Sequence, residues 1–168
     1  DADLDVLVDA AKQIAAFEER AVYEGFSEAG INGLHTLAKE QSVPVRLNQD
    51  ELLEGITEGM NKLLEAGIDA PATLVAGDKL WKTLSHAAPG GSLRKLVERI
   101  TAGKVIYAPS IPGGFLAAER GDDFVLHLGQ DFSIGYHSHT TQEVQLFIME
   151  SFTFQVVSPE AVVGLDIS

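Results

Sequence analysis

From Leu4 to Glu24 the apolar residues Leu4, Leu7, Val8, Ala11, Ile14, Ala15, Ala21 and Val22 recur at helical spacing, which predicts one long amphipathic helix. Acidic residues crowd its first turn, where the helix dipole favours them. Gly25, Gly30 and Gly33 then break the pattern into a loop. Phosphate-binding loops precede a helix N-terminus, and this one follows a helix, so it reads as a turn that lets two backbones approach. Residues 39–47 are a polar, proline-containing connector. Asn48, with Glu51 three residues on, has the form of a capping box and opens a second helix. Leu52, Leu53, Ile56, Met60, Leu63 and Leu64 make its apolar face, and Gly67 ends it. Gly55 and Gly59 weaken that helix by about 1 kcal/mol each, and their spacing of four admits a close neighbour.

Beyond it the period shortens. Residues 72–76 form a buried strand, and Asp78 is placed to cap a short helix running to Ser85 with Leu80, Trp81 and Leu84. The stretch from His86 to Gly91 reads as an irregular loop. Ser92 is placed to cap a further helix carrying Leu93, Leu96, Val97 and Ile100, stopped by Gly103. Strands follow over 105–108 and 115–118, around the Ile111-Pro112-Gly113-Gly114 turn. From Gly121 to Ala161, β-branched and aromatic residues dominate on both sides of a polar His-Ser-His-Thr-Thr-Gln run at 137–142. That is the pattern of two long antiparallel strands. Helices, a mixed sheet and a long hairpin in this order predict an α+β fold of two lobes.

With 45% hydrophobic and 22% charged residues over 168 positions, the chain has enough apolar content to fold around a sizeable core. The absence of cysteine excludes disulfides and thiolate metal sites and fits a reducing compartment. The acidic opening lacks the regions of a signal peptide, and no apolar run has the length of a membrane span, so a soluble protein is expected. A formal net charge of −13 disfavours nucleic acid and anionic membranes as partners. The missing initiator methionine suggests a piece of a longer protein.

Candidate chemistry is thin. His137 and His139 alternate onto one strand face, with His127 upstream and Glu143 nearby, as a two-histidine ligand pair requires. No third or fourth ligand is placed, so a solvated turn is favoured over a metal site. Ser133, His127 and Asp131 supply the residue types of a hydrolase triad without a nucleophile-elbow motif. Glu18, Glu19 and Glu24 are candidate acid–base carboxylates, but with Arg20 among them they read as a wet charged face. Trp81 reads as core. No catalytic residue, metal or cofactor is assigned.

The run Gly129-Gln130-Asp131-Phe132-Ser133-Ile134-Gly135-Tyr136, and Glu150-Ser151-Phe152-Thr153-Phe154 followed by Pro159-Glu160-Ala161, resemble recurrent signatures of encapsulin shell proteins, the linocin-like family (family 1 encapsulins). Colinear similarity extends through Phe17-Glu18, residues 21–25, the Gly30–Leu34 loop, residues 64–75 and Arg120–Phe124. The resemblance implies the fold of tailed-phage major capsid proteins. It divides the chain into peripheral-domain helices and connector (1–66), an apical domain (67–118) and a long hairpin returning to the peripheral domain (119–168). The family's N-terminal arm and extended loop are not in this sequence.

The resemblance further implies a non-enzymatic protein that assembles with copies of itself into an icosahedral cytoplasmic nanocompartment. Such shells enclose cargo, a ferritin-like protein or a dye-decolourising peroxidase, captured through a C-terminal targeting peptide. It places His86, Ala87, Ala88, Pro89, Gly90 and Gly91 around the five-fold pore. It places Asp131, Phe132, Ile134 and Tyr136 on the lumenal wall that receives the targeting peptide, with Phe132, Ile134 and Tyr136 sharing one strand face. Two rivals remain at this stage: a true phage major capsid protein, and a peptidase or bacteriocin-like hydrolase.

Overall fold

The computed structural model describes residues 4–88 and 91–168. Helix α1 (Asp5–Tyr23) begins and ends where the apolar period does. It leads into a minimal hairpin, β1 (Gly25–Phe26) and β2 (Ile31–Asn32), closed by a 3-10 turn. Two glycines permit this crossing. Gly25 has φ +95°, and a Cβ on Gly33 would lie 2.2 Å from the Gly25 backbone nitrogen. Helix α2 (Leu34–Ala38) follows at once.

The larger body is a five-stranded mixed sheet. Its strands are β3 (Val43–Val45), β4 (Ala72–Ala76), β7 (Ala102–Tyr107), β8 (Gly114–Ala118) and β11 (Val162–Ile167), in the order β3-β11-β8-β4-β7. Strands β11 and β3 run parallel, as do β4 and β7, while β8 runs antiparallel to both β11 and β4. Helix α3 (Gln49–Glu65) lies on this sheet and buries Leu52, Ile56 and Leu63 against Leu74, Leu116, Val163 and Leu165. Its entry is the expected cap: the Asn48 side chain accepts the Glu51 backbone N–H at 3.0 Å. Gly55 and Gly59 are indeed close-approach positions, their absent Cβ atoms each 2.6 Å from a side chain, Val45 and Leu116 respectively. Helices α4 (Asp78–Leu84) and α5 (Leu93–Thr101) complete the layer with Leu80, Leu84 and Val97, around the two-residue pair β5 (Ala87–Ala88) and β6 (Gly91–Ser92).

A second cluster, built on Ile31, Leu34, Phe115, Phe154 and Val162, joins the sheet's other face to α1 and to the base of a long antiparallel ribbon. That ribbon is β9 (Phe124–His139) and β10 (Val144–Val156).

Several local expectations change. The 39–47 connector contains a sheet strand, β3, because Val43 and Val45 alternate onto the core face. Residues 162–167, left without an element by the sequence pattern, form a strand between β3 and β8. The sheet therefore takes strands from all three stretches 1–66, 67–118 and 119–168. Gly77, not Asp78, occupies the N-cap of α4, and Ser92 sits at the N-cap of α5 without a side-chain bond. Ala102, at φ 52°, ends α5 one residue before Gly103.

Candidate functional site

The ribbon's two strands differ in length, 16 residues against 13, and the excess is absorbed by register shifts near Tyr136–Ser138 and Leu128–Ser133. Tyr136 faces Leu146, Ile134 faces Ile148, Leu128 faces Phe152 and Leu126 faces Phe154. Cross-strand partners share a face, so these residues form one apolar surface running the ribbon's length. Near the base it is core, with Phe154 buried. Toward the tip it opens, with Leu128, Ile134 and Tyr136 each more than half exposed at 51%, 54% and 59%.

Helix α1 covers part of this face but stands off near its N-terminus. Between Leu7, Ala10 and Ile14 on the helix and Leu146 and Ile148 on β10 runs an open groove of about 680 Å³. Phe132, Ile134 and Tyr136, expected to share one strand face, are not themselves in its lining; the cross-strand partners of Ile134 and Tyr136 are. Alternation of Val144, Leu146 and Ile148 was the sequence signal for this second half of the surface. Asp131 sits in the bulged segment, its Oδ1 accepting the Phe132 N–H at 2.7 Å. The Tyr136 hydroxyl is hydrogen-bonded to Nδ1 of His139.

Among the apolar positions of β10 stands Glu150. Burial, then the nearby carboxylates Glu18 and Asp131, push its carboxyl above the usual range. At the other end of α1, Nδ1 of His35 donates to Oε1 of Glu24 at 2.9 Å, and the Thr36 hydroxyl donates to the Glu24 carbonyl at 2.7 Å. Glu19 accepts the Ser110 N–H at 3.4 Å. The acidic face of α1 is thus not the wet face its composition suggested: Glu18, Glu19 and Glu24 are all half-buried and face neighbouring elements. Burial and the adjoining Glu19 and Glu18 raise the Tyr23 phenol. Nothing in sequence spacing could reveal the Glu24–His35 pair, which joins two separate elements.

The expected pore loop is partly regular. Ala87 pairs antiparallel with Ser92 and Ala88 with Gly91, so the two described ends of the segment are bridged. His86 is exposed at its foot, and Pro89 and Gly90 lie outside the described residues.

The triad geometry fails. Ser133 and His127 are six residues apart along one strand, about 20 Å, opposite Met149 and Thr153 respectively. Ser133 instead accepts from Gln130 at 2.7 Å. Among the described residues no group of three or more histidine or acidic side chains is arranged to hold a metal ion. No described helix is long and apolar enough to cross a membrane.

A half-covered apolar ribbon beside a long helix, joined to a separate sheet lobe, has counterparts. The Linocin_M18 family model, described as an encapsulating protein for peroxidase, matches residues 1–153. The chain belongs to the encapsulin shell-protein family. A type 1 encapsulin shell protein of Rhodospirillum rubrum is 38% identical over 98% of this chain and 60% of its own length. One from Mycobacterium tuberculosis is 34% identical over 98% of this chain and 63% of its own. The chain therefore spans about 60% of the length of the curated relatives it matches. A virus-like particle from Pyrococcus furiosus superposes with a TM-score of 0.72 at 20% identity, over 97% of this chain and 68% of that one. A structure from Gordonia phage Cozz gives 0.67 at 14% identity, over 98% and 63%. The α+β architecture is that of the tailed-phage capsid fold.

Proposed function

We propose that this chain is the shell-forming region of an encapsulin nanocompartment protein: a structural, non-enzymatic subunit that assembles with copies of itself into a closed icosahedral cage in the cytoplasm. The observation that carries this reading is the family match across residues 1–153, on a chain that exposes Leu128, Ile134, Tyr136 and Leu146 along one sheet face. A contiguous row of exposed apolar side chains of this kind supports an interaction surface. The separation of Ser133 from His127 argues against the hydrolase alternative.

In this reading the shell encloses cargo enzymes, a peroxidase or a ferritin-like protein. The family description, an encapsulating protein for peroxidase, supports the former. The cargo's targeting peptide lies on the tip half of the ribbon face, with Phe132, Ile134 and Tyr136 supplying apolar contacts and Asp131 a polar end. The segment from His86 to Gly91 lines a pore at the five-fold axis, where its small residues allow five copies to crowd together.

The test is the assembled mass of the protein expressed from its own gene, by light scattering with particle imaging. Hollow, uniform megadalton particles are expected. A monodisperse monomer or dimer overturns the reading.

A further inference from the structure

The two-residue strands β5 and β6 pair at Ala87–Ser92 and Ala88–Gly91. A ladder this short is marginal on its own. It depends on the helix ends it grows from: β5 begins just after α4, and Ser92 is the N-cap of α5. Leu80 and Leu84 bind α4 to the core, as Leu93 and Val97 bind α5. Apolar burial is non-directional, so the orientation of one helix end against the other falls to directional contacts.

A row of such contacts runs from β7 through α4 to α5. The Tyr107 hydroxyl donates to Oδ1 of Asp78, the first residue of α4, and Lys82 Nζ donates to Oδ2 of the same carboxylate at 3.1 Å. The Tyr107 ring lies 5.2 Å from that of Trp81, tilted by 32°. Arg94, in the first turn of α5, sets its guanidinium carbon 5.2 Å from the centre of the Trp81 ring, a cation–π distance. Its Nε donates to Oε1 of Glu98 at 2.9 Å, one turn further along α5. The guanidinium is therefore aimed from its own helix as it meets the ring. A planar fork can bond and stack in this way, whereas a lysine is a point charge.

The Trp81–Arg94 contact closes residues 81–94 into a loop beneath the β5–β6 ladder. Once that base is closed, less chain has to be ordered for the ladder to form. Resting on the pore reading, we infer that Arg94 is a positioning residue: stacked on Trp81, it clamps α5 to α4 and so holds the β5–β6 pair where it borders the opening.

The test is hydrogen exchange by mass spectrometry on the full-length assembled protein, comparing the parent with Arg94→Gln. Exchange over residues 85–92 should rise about two- to fivefold, the weight of a half-exposed cation–π contact, while β4 and β8 exchange as before. On a Trp81→Leu background the same substitution should change nothing further, because the ring it acts through is gone. Unchanged exchange over 85–92, a rise shared by β4 and β8, or an equal effect of Arg94→Gln on the Trp81→Leu background each overturns the clamp. Entry of iodide into the assembled shell, read by quenching of an enclosed fluorophore, separates the clamp from the pore reading. Faster entry in Arg94→Gln is expected. Raised exchange with unchanged entry overturns the pore assignment and leaves the clamp standing.

Discussion

Nδ1 of His35 lies 2.9 Å from Oε1 of Glu24, an ion-pair geometry in which the imidazole is almost wholly buried and the carboxylate one-third exposed. A carboxylate has no proton to give, so the ring donates whatever its charge. The pair fastens the end of α1 to α2, while the ring also lies 6.4 Å from that of Phe115 in the sheet. His35→Ala removes the donor and opens space in the second core. It should cost about 2–3 kcal/mol, read as a lowered urea midpoint with unchanged slope. Glu24→Ala, at the more exposed partner, should cost less.

Gly55 and Gly59 make a sharper test because two effects oppose. Alanine improves helix propensity by about 1 kcal/mol. At Gly55 the new methyl meets Val45 Cγ2 at 2.6 Å, on a β-branched side chain fixed in the sheet. Overpacking costs about 1–3 kcal/mol, so Gly55→Ala should be net destabilising. At Gly59 the clash is with Leu116 Cδ1, the end of a longer side chain, and the loss should be smaller. Thermal melts of the two variants compare them directly.

Two acids should respond to pH in opposite senses. Hydrogen bonding to Arg120, three contacts between 2.8 and 3.1 Å, holds the Asp123 carboxyl below its usual range despite burial. A lowered folded pKa means stabilisation above the unfolded value, lost as pH falls through the folded one. Asp123→Asn should therefore be less stable than the parent at neutral pH and converge with it in strong acid. Glu150 is raised by burial and by Glu18 and Asp131, so its ionised form is the unfavourable one in the fold. Glu150→Gln should be more stable at neutral pH, with the gain shrinking as pH falls through the raised value. As pH falls, the stabilities of the two variants should approach that of the parent from opposite sides.

On the ribbon's other face, the Phe147 ring lies over Gly135, where a Cβ would come within 2.1 Å of it. Gly135→Ala should displace the ring without breaking the ladder. Near-UV dichroism is expected to change while the far-UV spectrum stays constant.

What the sequence made legible follows from length and period. Helix α1, the Asn48 cap, the two packing glycines and the long ribbon all rest on patterns repeated within one element, and each is present. What it hid depends on partners far along the chain. Val43 to Val45 is too short to declare itself a strand, and β11 is recognisable only beside it. The acids of α1 looked wet because nothing local announces Ser110 or His35 as their partners. The bulges of β9 were likewise invisible, since they arise from pairing 16 residues with 13. Of the candidate site, one apolar half was read from Phe132, Ile134 and Tyr136. The other half, on β10 and α1, required the pairing itself.

Strand β11 lies between β3 and β8, and the residues it joins to Val43–Val45 come about 120 positions later. During synthesis the sheet thus remains split until residue 167 has left the ribosome, with β3 and β8 lacking the strand that bridges them. Non-local closure of this kind is slow relative to helix formation. The lobe that α3 covers therefore stays without its bridging strand for as long as β11 has not been made. Order of manufacture, written into strand order, acts as a timer on closure of the sheet.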